Sequence, residues 1–367
     1  MISGADDAGF GHHVELTANM DEDMGRYQPP LTLTPAMLTL IAEISEQIGQ
    51  LSAGESRKQT PQLRRGNRIR TIQASLAIEN NTLSIQQVTA VLAGKRVLGL
   101  PREIQEVRNA FAAYEAMSEW QPNSRAHLLT AHQMLMGGLI DDSGRFRQAG
   151  VGIYRGDKLV HMAPPPSRVA HLVEELLAWL GSSDWHPLII SCVFHYEFEF
   201  IHPFADGNGR MGRLWQTLIL SQWRPVLAYL PVESVIRDQQ DAYYGALSAA
   251  DQLAEATPFV EFMLQALRLA LQEAARSELL TDQVTDQVTD QVAKLLGALD
   301  GATPLKVNDL MTELGLAHKA TFRANYLKPA LVSGLIEMTD PDSPRSPIQR
   351  YRLTPHGQNV AAALRSA

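Results

Sequence analysis

Near the middle of the chain stands the sequence His-Pro-Phe-Ala-Asp-Gly-Asn-Gly-Arg-Met-Gly-Arg, residues 202–213. It holds one imidazole, one carboxylate, one amide, two guanidiniums and three glycines. Glycines let backbone N–H groups approach a bound anion, and such a loop leading into a helix makes an anion site. Residues 214–223 have the composition of that helix. Arg210 and Arg213 share its first-turn face, an arrangement that suits a polyphosphate.

Pro203 determines where the preceding helix ends. A residue before proline is disfavoured in helical geometry, so we expect His202 to stop that helix with its ring at the mouth of the loop. Residues 188–201 are apolar on most faces of a helix, which predicts a central, buried element. The unperturbed pKa of an imidazole, about 6.5, suits His202 to accept a proton from a hydroxyl group.

These twelve residues match the signature HPFx[DE]GNGRxxR at every defined position, and on that ground the chain resembles the Fic family. The resemblance implies a mostly α-helical Fic-type core with a β-hairpin flap. It also implies a protein adenylyltransferase, an enzyme that transfers AMP from ATP to a Tyr, Thr or Ser hydroxyl of a protein and releases pyrophosphate. In such an enzyme His202 would be the catalytic base.

Transfer of a nucleotidyl group also needs a cation between phosphates and donors for the developing charge. Asp206 is a hard oxygen ligand for Mg²⁺, which takes one or two carboxylates together with phosphates and water. We expect the phosphates to be held by the backbone of the glycine loop and by the two arginines: Gly207, Asn208, Gly209, Arg210 and Arg213.

A second string lies upstream, Ser75-Leu-Ala-Ile-Glu79-Asn80. Ser75 and Glu79 are four positions apart and so share one face of a helix. One interpretation is the end of an amphipathic helix with Asn80 as its cap. The string also matches the [ST]xxxE[GN] inhibitory motif of Fic proteins. This resemblance implies that Glu79 pairs with Arg213 and excludes the γ-phosphate of the nucleotide, so the resting protein would be a poor enzyme.

A strand–turn–strand pattern occupies residues 151–162. It follows the segment Gly-Arg-Phe-Arg, residues 144–147, which resembles the segment before the flap of Fic proteins. The exposed edge of a hairpin can pair with an extended peptide. The resemblance implies that Leu159, Val160 and His161 dock the target segment over the active site. A hairpin without this role is the alternative.

An adenine pocket is expected farther along the chain. Fic proteins commonly have a Tyr-Tyr pair, here residues 243–244, with a polar residue shortly before it. The resemblance therefore implies that Tyr243 and Gln239 bind the nucleotide. The alternative is that the tyrosines only fill the core.

Helical periodicity runs through most of the chain. It predicts a helix over 34–51, a break at 52–54, a loop at 229–231 and a long helix from 257 to about 276. The patterns divide the chain into five parts: a flexible N-terminal arm (1–30), a helical region with the inhibitory helix (31–100), the Fic catalytic core (101–276), a helical linker with Thr-Asp-Gln-Val repeats (277–296) and a winged-helix-like domain (297–367).

The C-terminal domain has the order helix, turn, helix, strand, wing, strand, which is typical of the winged helix, an α+β fold. Lys319, Arg323 and Lys328 fall on the presumed second helix, which could enter a DNA major groove. The segment is only mildly basic, and such modules also bind proteins or dimerise. DNA, another protein and a second copy of the chain (a homodimer) all stay open as partners.

Composition sets outer limits on function. A net charge of −8 argues against extensive coating of nucleic acid, and the single cysteine, Cys192, excludes a disulfide framework and suits a reducing compartment. No apolar run reaches the roughly 18 residues that span a bilayer, and the N-terminus lacks the features of a signal peptide. We expect a cytoplasmic protein whose partners are ATP and a protein target, without membrane association.

The same residues leave three alternative functions open. Glu199-x-x-His202, with His195 one turn earlier, matches half of a carboxylate di-iron site, although the chain has no second such pair. The winged helix could carry the function as a DNA-binding regulator, with the core sensing nucleotide. The core could also run in reverse and remove AMP, with Glu79 orienting a water molecule. Neither the direction nor strict use of ATP follows from the sequence.

Overall fold

The structure, a computed structural model, describes residues 27–58, 61–155, 158–287, 289–300, 303–341, 343, 346 and 348–366. Over these residues the predicted mostly helical fold is confirmed, with a β-hairpin and a small second sheet. The elements before the central loop are α1 (Pro35–Lys58), α2 (Pro61–Ile78), α3 (Ile85–Leu92), α4 (Pro101–Ala116), α5 (Arg125–Met136), β1 (Gly152–Arg155), β2 (Lys158–Met162), α6 (Pro166–Ser182) and α7 (Pro187–Ile201).

Helices also dominate the remainder of the chain, where three short strands form the second sheet. The elements are α8 (Asn208–Trp223), α9 (Val232–Asp238), α10 (Gln240–Leu253), α11 (Thr257–Gln287), α12 (Asp290–Ala298), β3 (Leu305–Lys306), α13 (Val307–Glu313), α14 (Lys319–Phe322), α15 (Lys328–Val332), β4 (Ile336–Met338), β5 (Arg350–Leu353) and α16 (Pro355–Ser366).

Helices α7 and α8 form the centre of the larger hydrophobic core. α7 starts at Pro187, whose missing N–H is not needed in a first turn, and His186 caps it by accepting from the N–H of Leu188 at 3.2 Å. Nearly all of its side chains are buried, as the sequence predicted. Gly212 lets α8 approach closely, because a Cβ there would lie 2.9 Å from Cδ2 of His195. The close packing brings the end of α7 and the start of α8 into one site.

The loop between these helices has the predicted geometry. α7 ends at His202, which is left-handed with φ 49°, and the N–H of His202 still donates to the carbonyl of Phe198 at 2.9 Å. Pro203 cannot continue the helix. Gly207, at φ 87°, turns the chain into α8, a conformation that glycine adopts without the steric cost of a Cβ.

Three details of the helical prediction are wrong. α1 continues to Lys58 without the expected break at 52–54, since a helix interior tolerates one glycine at a cost of about 1 kcal/mol. α11 extends past residue 276 to Gln287. α9 follows the predicted loop and was not predicted, because its 7 residues are too few to show a clear period.

The described end of the N-terminal arm is attached to the core. The hydroxyl of Tyr27 donates to Oε2 of Glu197 at 2.5 Å, and the carbonyl of Pro30 accepts from the N–H of Ala256 at 2.9 Å. These contacts hold residues 27–30 in place, in contrast to the predicted flexible arm. Residues 1–26 of that arm lie outside the described residues.

A second hydrophobic cluster forms towards the C-terminus, around α12, α16 and the three-stranded sheet. The central strand, β5, pairs antiparallel with β3 on one side and β4 on the other, so Tyr351 lies opposite Leu305 and Met338. A π-helical turn, Arg323–Leu327, joins α14 to α15. The helix–turn–helix order and the two longer strands therefore agree with the sequence pattern.

Parts of the predicted linker pack with the C-terminal elements, because α12 contributes Val292 and Leu295 to their cluster. The three basic side chains of the second helix of the predicted helix–turn–helix are exposed: Lys319, Arg323 and Lys328. The winged-helix assignment, DNA binding and the division into domains stay predictions. Among the helices that the structure describes, none is both long and apolar enough to cross a membrane.

Candidate active site

A cavity of about 1060 Å³ opens where the end of α2, the end of α7, the start of α8, β2 and α10 meet. Its walls carry several ionisable and aromatic residues singled out in the sequence. They include Glu79, His161, Glu199, His202, Arg213 and Tyr243. Residues that are distant in the sequence thus share one site.

His202 presents a free nitrogen to this cavity. Its Nδ1 lies 3.3 Å from the carbonyl oxygen of Glu199, which can only accept, so Nδ1 carries the proton and Nε2 keeps its lone pair. Burial lowers the pKa of His202 to about 4, so the ring is neutral near pH 7. Within the described residues no hydrogen bond engages Nε2. A neutral imidazole in this state can accept a proton from a hydroxyl group.

Arg147 holds the backbone on which His202 stands, a role that the sequence did not reveal. Its side chain is buried, and its own N–H donates to the carbonyl of Pro203 at 3.0 Å. The guanidinium donates to four further carbonyl oxygens, those of His202 at 2.7 Å, Pro164 at 2.6 Å, Ala149 at 2.9 Å and Ile201 at 3.3 Å. The Gly-Arg-Phe-Arg segment was the available signal, but the carbonyls that an arginine reaches depend on tertiary packing.

The side chain of Asn208 holds the loop in shape. Its Oδ1 accepts from the N–H of Phe204 at 2.9 Å and its Nδ2 donates to the carbonyl of Phe204 at 2.9 Å. The predicted phosphate contact of Asn208 is therefore left to its backbone. The first N–H groups of α8, beginning at Asn208 and Gly209, have no helical carbonyl to bond and form the positive end of the helix dipole.

Arg213 is bound by the upstream string, as the resemblance implied. Its Nη2 donates to Oε1 of Glu79 at 2.7 Å and to the carbonyl of Ser75 at 3.1 Å, while its Nε donates to Oγ of Ser75 at 3.1 Å. Burial alone would lower the pKa of Arg213, but the neighbouring Glu79 carboxylate raises it. A Cβ at Gly209 would lie 2.5 Å from Oε1 of Glu79, so that glycine makes room for the carboxylate. Asn80, at φ 67°, lies just past the end of α2 and also lines the cavity.

Arg210 and Asp206 face a different set of partners. Nη2 of Arg210 lies 3.1 Å from Oδ1 of Asp206, and its Nη1 lies 3.5 Å from Oε1 of Glu106. Nη2 of Arg102 lies 3.2 Å from the other oxygen of Asp206. The N–H of Gly207 donates to Oδ1 of Asp206 at 2.6 Å. The two predicted phosphate-binding arginines therefore occupy separate environments, with Arg213 in the cavity and Arg210 in this charged cluster.

The flap hairpin is present, and its last residues are attached to the core. β1 and β2 pair antiparallel with an irregularity between Ile153 and Tyr154. Nε2 of His161 donates to the carbonyl of Phe200 at 2.9 Å, and its Nδ1 lies 3.0 Å from Oδ2 of Asp251. His161 thus joins the end of β2 to α7 and α10. The side chains of Leu159 and Val160 lie outside the described residues.

Tyr243 lines the cavity, as predicted, whereas Gln239 is exposed and its neighbour Gln240 takes the place on the wall. The hydroxyl of Tyr243 donates to Nε2 of His195 at 3.2 Å. Nε2 of Gln240 donates to the carbonyl of Ile78 at 3.0 Å and so joins α10 to the end of α2. The turn between α9 and α10 rotates Gln239 outward, a detail that residue spacing alone does not give.

His195 and Glu199 do not fit the di-iron alternative. Nδ1 of His195 donates to Oε1 of Gln216 at 2.8 Å and its Nε2 accepts from Tyr243, so neither nitrogen is open to a metal. No group of three or more His, Cys, Asp or Glu side chains that could hold a metal occurs in the described residues. Glu199 is 11% exposed, and burial raises its pKa to about 7. Its presence in the cavity was missed, because its spacing had suggested only a metal ligand.

Two sequence families match this chain. The profile described as the Fic/DOC family matches residues 122–220, which include the whole central loop. A second profile, described as the C-terminal domain of "Filamentation induced by cAMP protein Fic-like", matches residues 290–354. Together they cover the loop that carries His202 and most of the C-terminal elements.

Curated relatives are similar over part of their length. The Aedes aegypti protein named protein adenylyltransferase Fic is 28% identical over 206 residues, which are 53% of this chain and 39% of that protein. The protein of the same name from Culex quinquefasciatus is 29% identical over the same shares. The chain thus spans about two fifths of the length of these relatives.

Solved structures extend the likeness to nearly the whole chain. The crystal structure of a Fic family protein from Desulfovibrio desulfuricans G20 is 63% identical, with a TM-score of 0.67, and the match covers 90% of this chain and 99% of that one. Fic-1 of C. elegans, 22% identical with a TM-score of 0.52 over 66% of this chain and 71% of that one, shares the fold. The motif, the cavity built around it and these matches together show that the chain belongs to the Fic family.

Proposed function

We propose that the protein is an adenylyltransferase that transfers AMP from ATP to a Tyr, Thr or Ser hydroxyl of a target protein and releases pyrophosphate. One observation carries the proposal: a neutral His202 with a free Nε2 shares a cavity with Arg213 at the positive end of α8. A base, a guanidinium and a helix N-terminus together suit attack of a hydroxyl on a phosphate. The names of the curated relatives support the same reaction.

The reaction assigns a task to each group. Nε2 of His202 takes the proton of the target hydroxyl while the oxygen attacks the α-phosphorus of ATP. The bond from that phosphorus to the bridging oxygen breaks, and its electrons leave with pyrophosphate. The N–H groups at the start of α8 and the guanidinium of Arg213 donate to the phosphate oxygens as negative charge moves onto them.

Asp206 fits a Mg²⁺ ion of the kind that accompanies nucleotides. Its side chain is 41% exposed, and Mg²⁺ commonly takes one or two carboxylates and completes its shell with phosphates and water. When bound, the ion would neutralise phosphate charge. Arg102 is paired with Oδ2 of Asp206 and would have to release that oxygen to the ion.

Glu79 is proposed to keep the resting site closed. The Arg213 side chain is 1% exposed and already paired with a carboxylate, so an outer phosphate must compete with Glu79 for the same guanidinium. Hydrogen bonds to α9 and α10 also hold α2 against the core. Nη1 of Arg237 donates to Oε1 of Gln73 at 2.9 Å, and Gln240 donates to the carbonyl of Ile78. Activity then depends on what moves the end of α2 aside.

Two further surfaces of this cavity can receive the nucleoside and the target segment. Tyr243, Tyr244 and Gln240 line the wall that α10 provides, where a base can stack on or bond to them. The hairpin of β1 and β2 borders the same cavity, and a free strand edge can pair with an extended target peptide. We propose these two surfaces for the adenine and for the target segment.

The experiment that tests this function compares two positions of the label. The Glu79→Gly variant is incubated with Mg²⁺ and with ATP labelled at the α- or the γ-phosphate, alone and with a cell extract. Protein-bound label is expected from α-labelled ATP only. Label from γ-labelled ATP would instead indicate a kinase, and α-label that persists after His202→Ala would remove His202 from the mechanism.

A second candidate is the reverse reaction, hydrolytic removal of AMP from a protein. The position of Glu79 favours it, since its carboxylate lines the cavity and is 33% exposed, within reach of a water molecule. An AMP-modified target, prepared with the Glu79→Gly variant, separates the two directions. Release of AMP by the wild-type protein but not by Glu79→Gly would favour removal.

A further inference from the structure

A buried carboxyl group that the proposed reaction does not use lies beside His202. Oε2 of Glu199 is 3.8 Å from Nδ1 of His202, and its Oε1 is 3.9 Å from Nε2 of His195. Oε1 is fully buried and has no hydrogen-bond partner in the part of the chain that the structure describes. A buried polar atom without a partner is costly, so its presence in a cavity wall indicates a function.

We propose that Glu199 is a positioning residue for His202: its ionised carboxylate stabilises the positive charge that His202 gains when it takes the proton of the target hydroxyl. This inference rests on the proposed function for the source of that proton. The pairing itself is a property of the resting protein and can be measured without nucleotide or target.

The surroundings of His202 call for such a partner. The ring is largely buried, and desolvation disfavours its charged form. Nδ1 has the carbonyl of Glu199 at 3.3 Å, a long and therefore weak hydrogen bond. Once the proton is on Nε2, both nitrogens carry hydrogen and the ring is a cation. A carboxylate next to Nδ1 lowers the free energy of that cation.

His195 lies on the same face of α7 but does not provide the negative charge that would stabilise the His202 cation. Both of its nitrogens are engaged, with Gln216 and Tyr243, and burial lowers its pKa to about 3. It stays neutral and holds its ring in place. Glu199 is therefore the acidic side chain of α7 that faces the base.

A glycine of the motif provides the space for this carboxyl group. A Cβ at Gly212 would lie 3.1 Å from Oε1 of Glu199 and 2.9 Å from Cδ2 of His195. This glycine belongs to α8, on the side that faces α7, so a larger residue would force Glu199 away from its position. Residues 202–213 thus supply both the base, His202, and, through Gly212, the space for the carboxyl group of Glu199.

The charge on Glu199 is set by groups on several elements. Burial and the nearby Glu79 of α2 raise its pKa, Arg213 of α8 and His161 of β2 lower it, and the net pKa is about 7. The Tyr243 hydroxyl of α10 faces the same space. Because the carboxyl is protonated below about pH 7 and ionised above it, support for His202 is expected to rise with pH through neutrality.

The test measures the reactivity of Nε2 of His202 directly. The full-length wild-type protein, with Glu79 in place, is treated with diethyl pyrocarbonate between pH 6 and 8.5, and carbethoxylation of His202 is followed by peptide mass spectrometry. We expect a rate that rises through about pH 7 as Glu199 ionises. In Glu199→Gln that rise should disappear, and at pH 8 the rate should be about two- to threefold lower, because the reactivity of a neutral imidazole changes less than its basicity.

Glu197→Gln is the matched control, because Glu197 is also a buried acid of α7 whose pKa burial raises to about 7, but it bonds Tyr27 away from the cavity. It should leave the profile of His202 unchanged. Glu199→Asp, which keeps a carboxylate, should retain the rise with pH at a reduced amplitude and serves if Glu199→Gln does not fold. An identical profile in folded Glu199→Gln, or loss of the rise in Glu197→Gln, would overturn the proposal.

The same variants separate this inference from the proposed function. In AMP transfer, measured with Glu79→Gly as the parent protein, adding Glu199→Gln should lower kcat about tenfold and leave the KM for ATP within about twofold, since Glu199 does not contact the phosphates. If no variant transfers AMP but the carbethoxylation profiles differ as expected, the proposed function fails and the pairing stands. If transfer occurs with equal kcat and equal profiles, the pairing fails alone.

Discussion

Oε1 of Glu79 lies 2.7 Å from Nη2 of Arg213, which joins the end of α2 to the second turn of α8 across 134 positions of sequence. The guanidinium is almost completely buried, and Ser75 accepts further hydrogen bonds from its Nε and Nη2. A buried cation of this kind needs a negative partner, and removing one partner of such a pair has large effects. In the proposed reaction that partner changes from a carboxylate to a phosphate.

Removing Glu79 should therefore change affinity for the outer phosphates of the nucleotide more than affinity for the nucleoside. In Glu79→Gly we expect ATP to bind about tenfold more tightly, roughly 1.4 kcal/mol, because it no longer competes for Arg213. AMP, which lacks the outer phosphates, should change by less than about twofold. Isothermal titration calorimetry with both nucleotides measures this, and an equal gain for AMP would contradict competition at Arg213.

The hydrogen bond between Gln240 of α10 and the end of α2 should help to hold Glu79 against Arg213. Gln240→Ala removes the bond to the carbonyl of Ile78 and should raise AMP incorporation a few-fold above wild type, less than Glu79→Gly does. Gln252→Ala is the control, because Gln252 lines the same cavity on α10 but bonds Ser248 of its own helix and not α2. Hydrogen exchange of the last turn of α2 should speed up in Gln240→Ala alone. Equal exchange in both variants would show that the Gln240 hydrogen bond does not hold the end of α2.

Arg147 should be essential to stability as well as to the site. Arg147→Ala leaves four carbonyl groups without a donor, which should lower the free energy of unfolding by about 3 kcal/mol, the effect of losing several buried hydrogen bonds. Arg145→Ala, two positions earlier and exposed, should change it by less than about 0.5 kcal/mol. Urea unfolding measures the free energy of unfolding of both variants. Equal losses would show that the carbonyl contacts of Arg147 do not account for the lost stability.

The anchor of the flap should weaken as pH rises. Burial alone would lower the pKa of His161, but hydrogen bonds to Asp251 and the carbonyl of Phe200 raise it above 6.5. A pKa raised by folding gives stability that is present below the unfolded value and is lost as pH increases through the folded value. After correction for intrinsic exchange, amide protection in β2 should fall above pH 6.5. The exposed His171 offers a control, since His171→Gln should keep that pH dependence and His161→Gln should abolish it.

Much of the site could be predicted from the sequence because its determinants are local. Pro203 ends α7, Gly207 turns the chain, and residue spacing places Arg213 at the start of α8. The partner of Arg213 needed the resemblance as well, since Ser75 and Glu79 by themselves describe only a helix face. What the sequence could not predict depends on long-range packing. The cluster of Arg102, Asp206 and Arg210, and the carbonyl contacts of Arg147, arise from segments that meet only in the folded chain.

The exact residues of the cavity wall could not be predicted from the sequence. The turn between α9 and α10 moves Gln239 out of the cavity and Gln240 into it. Residue spacing connected Glu199 only with the di-iron alternative, because spacing gives the face of a helix and not the groups that lie opposite it. A homodimer and a DNA contact through the C-terminal domain stay predictions.

The central claim is that Glu79 holds an otherwise competent enzyme closed. It is tested most directly by the initial rate of AMP incorporation from α-labelled ATP in wild type, Glu79→Gly and Ala77→Gly, at equal concentration. Ala77→Gly places a glycine in the same turn of α2 but keeps Glu79, and so controls for loss of helix stability. We predict at least about a tenfold rise in Glu79→Gly, none in Ala77→Gly, and no incorporation when His202→Ala is added to Glu79→Gly. An equal rate in wild type and Glu79→Gly, or an equal rise in Ala77→Gly, would contradict the claim.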